Sequence, residues 1–184
     1  SETLDAQGSL ALMILEDGPL FIADTHVHPE PTPAQIAQAV IGAARHVRRF
    51  GVEPRVALIS RSQFGDQACA TGDTMRAAID LLDAAPRDFV YEGEMHVATA
   101  LSGEVRARIF PGSRLTSDAN VLIFASADTA SSVRNILKYR ANGLEVGPIL
   151  MGLGNRAHLV TPSITARGLL NITALAGTPV DKYG

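Results

Sequence analysis

The chain lacks several features that mark secreted, membrane-bound or nucleic-acid-binding proteins. Its single cysteine, Cys69, excludes an intramolecular disulfide. It has neither a signal peptide nor an apolar run long enough to cross a bilayer. A net charge of -3 and a pI near 5.9 provide no excess of basic residues, so neither a nucleic acid nor a membrane is expected as a partner. These absences predict an ordinary cytoplasmic globular protein.

Length and composition set the size of the fold. With 184 residues, of which 46% are hydrophobic and 19% are charged, the chain is long enough for one substantial core. We expect a single α/β domain over residues 1–177, followed by a tail at 178–184. The chain starts at Ser1 without a methionine, which fits a domain excised from a longer protein.

Apolar strands alternate with amphipathic helices along the chain, and this alternation predicts an α/β fold with a parallel-cored sheet. The Asp-Gly pair at 17–18 predicts a tight turn between apolar strands, so a hairpin over residues 9–24 is expected to extend one edge of the sheet. Thr32, Pro33 and Gln35 form a capping box at the start of a helix over 34–51. Further strands are predicted at 55–60, 89–93, 120–124 and 145–152, and further helices at 73–85, 126–143 and 163–177, with 95–109 mostly helical.

The stretch from 120 to 165 is where we expect a ligand. Its strand, helix and second strand have the lengths of a βαβ unit of a parallel sheet, whose ligand sites lie beyond the carboxyl ends of the strands. Gly143 is expected to close the helix in a left-handed conformation.

Two loops carry further chemical signals. The loop over 60–66, after the strand at 55–60, can present backbone N–H groups and hydroxyls to an anion; a solvated turn is the alternative. Cys69 is predicted to lie in a loop without an adjacent cationic helix start or histidine to lower its pKa, so we interpret it as incidental.

His26 and His28 form an H-x-H pair after an apolar strand, as in metal-dependent hydrolases. Such a site needs further ligands on later strands of a barrel, and His46, His96 and His158 lie in no metal-like pattern. No metal is therefore expected, and a hydrolase remains a remote alternative.

Several segments resemble the phosphate acetyl/butyryltransferase family. These segments are LISRSQFG (58–65), GEMH (93–96), PGSRL (111–115), NVLIF (120–124) with Asp128, and GPIL (147–150) with Gly152 and Leu153. The resemblance extends in particular to the C-terminal transferase-like domain of bacterial NADP-dependent malic enzyme fusions, of which this chain covers the later part. It implies a layered fold like that of isocitrate and isopropylmalate dehydrogenases, and a homodimer or a higher oligomer with the fused domain.

The chain departs from the family at the catalytic loop. Active members carry an arginine that holds the phosphate and an aspartate that takes the proton of the coenzyme thiol, because a thiol is a poor nucleophile without a base. Aligning on Asn171 places Thr161 at the family's serine, Pro162 at the arginine and Gly168 at the aspartate. No catalytic residue is therefore expected.

The resemblance implies that acetyl-CoA or CoA is the ligand, and that the domain regulates a malic enzyme without catalysing acetyl transfer. An active phosphate acetyltransferase remains the alternative. No cofactor is expected in this fragment, and NADP and a divalent metal would belong to the fused malic enzyme domain. The residues expected to bind the ligand are Ser60, Ser62, Gly65, Asn120, Asp128, Gly152, Gly154, Asn155, Arg156, Thr161, Ser163, Thr165 and Arg167.

Overall fold

A computed structural model describes residues 8–24, 30–152, 160 and 164–177. The described residues form a six-stranded sheet with helices on both faces, so the predicted α/β class is confirmed. The strands are β1 (Gly8–Leu15), β2 (Gly18–Asp24), β3 (Arg55–Ile59), β4 (Val90–Met95), β5 (Val121–Ile123) and β6 (Leu144–Met151). The helices are α1 (Pro33–Arg48), α2 (Ala70–Asp83), α3 (Val97–Ala100), α4 (Gly103–Ile109), α5 (Ala127–Arg140) and α6 (Ala166–Ala176).

The strands lie in the order β4-β3-β5-β2-β1-β6. The first four are parallel to one another, and β1 is antiparallel to both of its neighbours. The core lies on both faces of this sheet. One apolar cluster packs beneath α1 and α2, and the other lies under the helical segments that follow β4 and β5.

The predicted hairpin exists, but its position at the edge of the sheet is wrong. β1 pairs with β2 on one side and with β6 on the other, so β6 forms that edge. The reason is visible in β1 itself, since its first six residues are all buried. A strand with an uninterrupted apolar run has neighbours that bury both of its faces and belongs inside a sheet.

The strand, helix and strand of 120–152 also differ from a simple βαβ unit. β5 and β6 run in the same direction, but the hairpin β1-β2 lies between them. Helix α5 packs against β1, β2 and β6, so it crosses the hairpin on its way to the edge. As a result, the carboxyl ends of β5 and β6 lie at the same end of the strands of the sheet. They are separated by about three strand spacings, or about 14 Å.

The capping box of α1 is confirmed. The Thr32 hydroxyl accepts a hydrogen bond from the Gln35 backbone N–H, and the Gln35 side chain accepts one from the Thr32 N–H at 2.8 Å. Gly51, with φ 72°, follows the helix end, and its N–H donates to the Arg48 carbonyl. These local contacts orient α1 so that its alanine-rich face packs on the sheet and on α2.

Two predicted helix boundaries are wrong. Helix α2 begins at Ala70 rather than at 73, which makes Cys69 its N-cap residue. At the end of α5 the left-handed residue is Asn142, with φ 50°, rather than Gly143. Gly143 is needed for space instead, because a Cβ there would lie 2.8 Å from a methyl group of Leu15.

Candidate functional site

A cleft of about 920 Å³ opens at the carboxyl ends of β3 and β5. Helix α2 connects β3 to β4, which lies on one side of β3 in the sheet, and β5 lies on the opposite side of β3. The strand order therefore reverses between β3 and β5, where the cleft lies. Ligands bind at such points in open α/β sheets because the connections diverge there and leave a crevice. The apolar part of its lining comes from Ile59, Val97, Phe124, Ala125 and Val133, with Pro31 and Ala70. The polar and charged part comes from Glu30, Ser60, Arg61, Thr71, Thr74, His96, Ser126 and Thr129.

Two fourteen-residue helices begin at this cleft. Ala70 and Thr71 of α2 line it, and so do Ser126 and Thr129 at the start of α5. The Ser126 hydroxyl accepts a hydrogen bond from the Thr129 N–H at the start of α5. The first N–H groups of both helices have no partner within their own helix, so this wall of the cleft favours a negatively charged group.

His96 joins the cleft to the loop over 60–66. Its Nε2 lies 2.8 Å from the carbonyl oxygen of Arg61. Because a carbonyl only accepts, Nε2 carries the proton, and Nδ1 of the neutral ring is left as an acceptor. The Arg61 carbonyl also accepts from the Gln67 side chain at 2.7 Å. The backbone of Arg61 is therefore fixed from two directions.

Cys69 lies at the start of α2, where the sequence predicted an incidental loop thiol. The Gly72 backbone N–H, followed by the Ser60 hydroxyl and Arg61, holds the pKa of the Cys69 thiol below its ordinary value, although burial alone would raise it. The Ser60 Oγ lies 3.6 Å from Sγ. The prediction of a thiol without an adjacent cationic helix start is wrong, because it rested on a helix start placed three residues too late.

The loop over 60–66 does gather donors around an anion, but the anion is the chain's own Glu94. The Glu94 carboxylate is fully buried, and its oxygen Oε1 accepts three hydrogen bonds from the described residues. The donors to Oε1 are the Ser62 hydroxyl at 2.5 Å, the Gly65 N–H at 3.0 Å and the Arg76 guanidinium at 2.7 Å. The other oxygen, Oε2, is buried and has no hydrogen-bond partner among the described residues.

Sequence reasoning missed Glu94. The only signal was an acidic residue inside GEMH, directly after an apolar strand. In the structure Glu94 lies at an irregularity of the β3-β4 pairing, where Leu58 pairs with Gly93 and Ile59 pairs with Met95. The extra residue on β4 leaves the ladder, and its side chain meets the loop after β3.

The predicted ligand residues divide into separate groups. Of those that the structure describes, Ser60 lines the cleft, while Ser62 and Gly65 bind Glu94. Asn120 lies at the amino end of β5, away from the cleft, where its amide accepts from the Arg55 N–H and donates to the Glu53 carbonyl.

The remaining described members are exposed or lie near the edge strand. Asp128 is exposed in the first turn of α5, and Gly152 follows β6 with φ 93°. Thr165 and Arg167 are exposed at the start of α6. Gly154, Asn155, Arg156, Thr161 and Ser163 lie outside the described residues.

His26 and His28 also lie outside the described residues. Within the described ranges, no group of three or more histidine, cysteine or acidic side chains could hold a metal ion. No helix in that part of the chain is both long and apolar enough to span a membrane.

Comparisons with known proteins agree on one family. Residues 1–177 match the family described as phosphate acetyl/butaryl transferase. The chain is 40% identical over 168 residues to an NAD-dependent malic enzyme of Rhizobium meliloti (strain 1021), covering 91% of this chain and 22% of the relative. It is 38% identical over 170 residues to the NADP-dependent malic enzyme of Escherichia coli (strain K12), covering 92% of this chain and 22% of that relative. A phosphate acetyltransferase of Synechocystis sp. (strain ATCC 27184 / PCC 6803 / Kazusa) is 30% identical over 170 residues, covering 91% and 24%.

A solved structure shares the fold. The EutD phosphotransacetylase from Staphylococcus aureus superposes with a TM-score of 0.84 at 23% identity, covering 91% of this chain and 52% of that chain. The chain therefore spans about a fifth of the length of these curated relatives and about half of the solved structure. The predicted resemblance is confirmed, and the chain belongs to the phosphate acetyl/butaryl transferase family.

Proposed function

We propose that this chain is a non-catalytic, transferase-like domain that binds acetyl-CoA and regulates the oxidative decarboxylation of malate by a fused malic enzyme. The fused enzyme would supply the nicotinamide cofactor and the divalent metal. The relatives named above include both NAD-dependent and NADP-dependent malic enzymes, so the choice of cofactor belongs to that other domain.

The observation that carries the loss of catalysis is Gly168. The family resemblance assigns the general base to this position, and glycine has no group that takes a proton. Its N–H donates to the Thr165 hydroxyl at 3.0 Å in the first turn of α6, and a Cβ at this position would lie 3.0 Å from a side-chain carbon of Ile164. A base restored here would therefore crowd its neighbour. Loss of general acid–base help alone costs about a hundredfold to ten-thousandfold in rate.

The cleft supports retention of binding. Losing two catalytic groups leaves the crevice at the carboxyl ends of β3 and β5 in place. Gly152, which follows β6, lies at the same end of the strands as the crevice, about 14 Å from β5 across the sheet. A long ligand such as acetyl-CoA could span this distance, whereas a compact ligand could not.

Regulation requires the ligand to bind two arrangements of an assembly unequally, and a two-fold dimer is the arrangement we propose. Ile136 and Tyr139 on α5 are 61% and 82% exposed, so this helix presents apolar side chains that a second copy could cover. A coupling free energy of about 1–3 kcal/mol corresponds to a change of about fivefold to more than a hundredfold in the affinity of the coupled site. Light scattering tests the dimer, and a monomer at micromolar concentration contradicts it.

The test of function measures binding and catalysis separately in the intact malic enzyme fusion. We expect acetyl-CoA to give calorimetric heat and to change malate decarboxylation, while acetyl phosphate and CoA give no acetyl-CoA above buffer. ATP serves as the control ligand for a generic anion pocket. Robust acetyl transfer by the purified fusion would favour an active phosphate acetyltransferase, and the absence of any heat or thermal shift at millimolar acetyl-CoA would refute sensing.

A further inference from the structure

Arg61 differs from several other arginines of the chain. The guanidinium groups of Arg76, Arg114 and Arg134 each form ion pairs with carboxylates of the chain. Arg61 is exposed, lines the cleft, and forms no ion pair with the part of the chain that the structure describes. Its guanidinium also acts on the Cys69 thiol, but because it has no carboxylate partner among the described residues it can still pair with an anionic ligand.

The backbone that carries Arg61 is held firmly. Its carbonyl accepts hydrogen bonds from the side chains of His96 and Gln67, at 2.8 and 2.7 Å. The next residue, Ser62, is fully buried and donates to the Glu94 carboxylate. A side chain on a fixed backbone loses less conformational entropy when it binds, so a ligand contact at this position retains more of its favourable free energy.

The surroundings of Arg61 indicate the class of ligand. Thr71 and Thr74, from the first turns of α2, line the same cleft and offer hydroxyls beside a helix start that favours anions. Ile59 and Phe124 add apolar surface. Glu30 is the one carboxylate in the described lining, and it would oppose a second anionic group. This combination fits one phosphate ester attached to a partly apolar body.

We propose that Arg61 anchors a phosphate ester of the ligand in this cleft, and that Glu94 positions Arg61 by holding the loop over 60–66. The inference rests on the proposed function for the identity of the ligand, since coenzyme A carries phosphate esters on an adenosine and a partly apolar pantetheine arm. The planar guanidinium pairs with two phosphate oxygens at once, which an amide of similar size does not do.

The test is calorimetry on the chain and its variants with acetyl-CoA, adenosine 3′,5′-bisphosphate and pantetheine. We expect Arg61→Gln to weaken acetyl-CoA about tenfold to a hundredfold, as for the loss of one charge-assisted contact, and to weaken the bisphosphate similarly. Pantetheine, which has no phosphate, should bind both proteins equally. Arg45→Gln is the matched control, because Arg45 is exposed on α1 and does not line the cleft.

A double-mutant cycle tests the positioning role. Glu94→Gln should weaken acetyl-CoA in the natural chain but not in the Arg61→Gln background, at a temperature where all variants are folded. An equal effect in both backgrounds would mean that Glu94 acts on the ligand by another route, and would overturn its positioning role.

The outcomes separate this proposal from the proposed function. If acetyl-CoA binds the natural chain and Arg61→Gln equally well, the phosphate subsite is wrong while acetyl-CoA sensing stands. If acetyl-CoA does not bind at all, acetyl-CoA sensing is refuted, and binding of the bisphosphate then tests the phosphate subsite at Arg61. Bisphosphate binding that is lost in Arg61→Gln supports this subsite, and the absence of bisphosphate binding to the natural chain refutes it.

Discussion

Replacing Glu94 by glutamine tests the contact that joins β4, α2 and the loop over 60–66. The substitution preserves the shape of the side chain and removes its charge. Oε1 would still accept hydrogen bonds from Ser62, Gly65 and Arg76, but without the reinforcement that a carboxylate gives them. The new amide nitrogen would take the place of Oε2, which is buried without a partner among the described residues.

The magnitude follows from these contacts. Hydrogen bonds to a charged group contribute about 1.5–3 kcal/mol each, roughly twice as much as neutral ones. Three bonds that each lose half of this would cost about 2–4 kcal/mol. The Arg76 side chain is 37% exposed, and solvent screens its pair with Glu94, so we take the contribution of this hydrogen bond at the lower end of the range. A buried amide nitrogen without an acceptor adds about 1–3 kcal/mol. We therefore expect a loss of about 3–7 kcal/mol.

Urea unfolding at neutral pH, followed by far-ultraviolet circular dichroism, measures this loss; the chain has no tryptophan to report by fluorescence. Glu53→Gln is the matched control. Its carboxylate pairs with Arg48, but its side chain is 66% exposed, so a change below about 1 kcal/mol is expected. If Glu94→Gln and Glu53→Gln shift the unfolding midpoint equally, the buried carboxylate does not hold the loop as we describe.

Three further predictions concern single groups. The ultraviolet absorbance of the Cys69 thiolate should titrate with a midpoint below the ordinary thiol value, with Cys69→Ser as the blank; a midpoint above that value contradicts the helix-start environment. Burial raises the pKa of Asp83, but hydrogen bonds from Tyr91 and Arg114 outweigh it, so the folded pKa lies below the unfolded one. The stability that Asp83 contributes is therefore present above about pH 4 and is lost as the pH falls through the lower folded value, so Asp83→Asn should flatten the acid side of a stability profile. Arg106 is 1% exposed, and all of its partners among the described residues are backbone carbonyls, so Arg106→Leu should lower the free energy of unfolding by about 3 kcal/mol or more in urea; a loss below about 1 kcal/mol would contradict this bonding.

The order of strands and helices could be predicted because it depends on local patterns. The hairpin turn and the capping box at Thr32 are formed by residues that are close in sequence, and both are found, although the two turn residues are Glu16 and Asp17 and Gly18 is the first residue of β2. The place of β6 could not be predicted in this way. Its pairing with β1 joins residues 130 or more positions apart, such as Leu10 and Ile149, and no local pattern specifies that partner.

A small error in one predicted helix boundary changed the interpretation of a residue at the site. A difference of three residues at the start of α2 changed Cys69 from a loop thiol into an N-cap residue with a lowered pKa. The N-cap residue of α2 is Cys69, which is not one of the residue types that favour this position, so no local pattern marked the start of the helix.

The loop over 60–66 explains why a correct local signal can indicate the wrong partner. Ser62 and Gly65 are placed as an anion-binding loop requires, and the pattern of the loop alone predicts as much. A pattern of donors does not identify its acceptor, and the bulged Glu94 supplies a carboxylate from within the chain. Once those donors are satisfied internally, a ligand in the adjacent cleft must find its counter-charge elsewhere. Arg61, fixed between the two serines that flank it, is the group in the described lining that carries a permanent positive charge. Because Glu94 occupies the donors of Ser62 and Gly65, a phosphate of the ligand is left to pair with Arg61. The double-mutant cycle on Glu94 and Arg61 therefore tests the role of Glu94 in positioning the loop and the role of Arg61 in binding the phosphate.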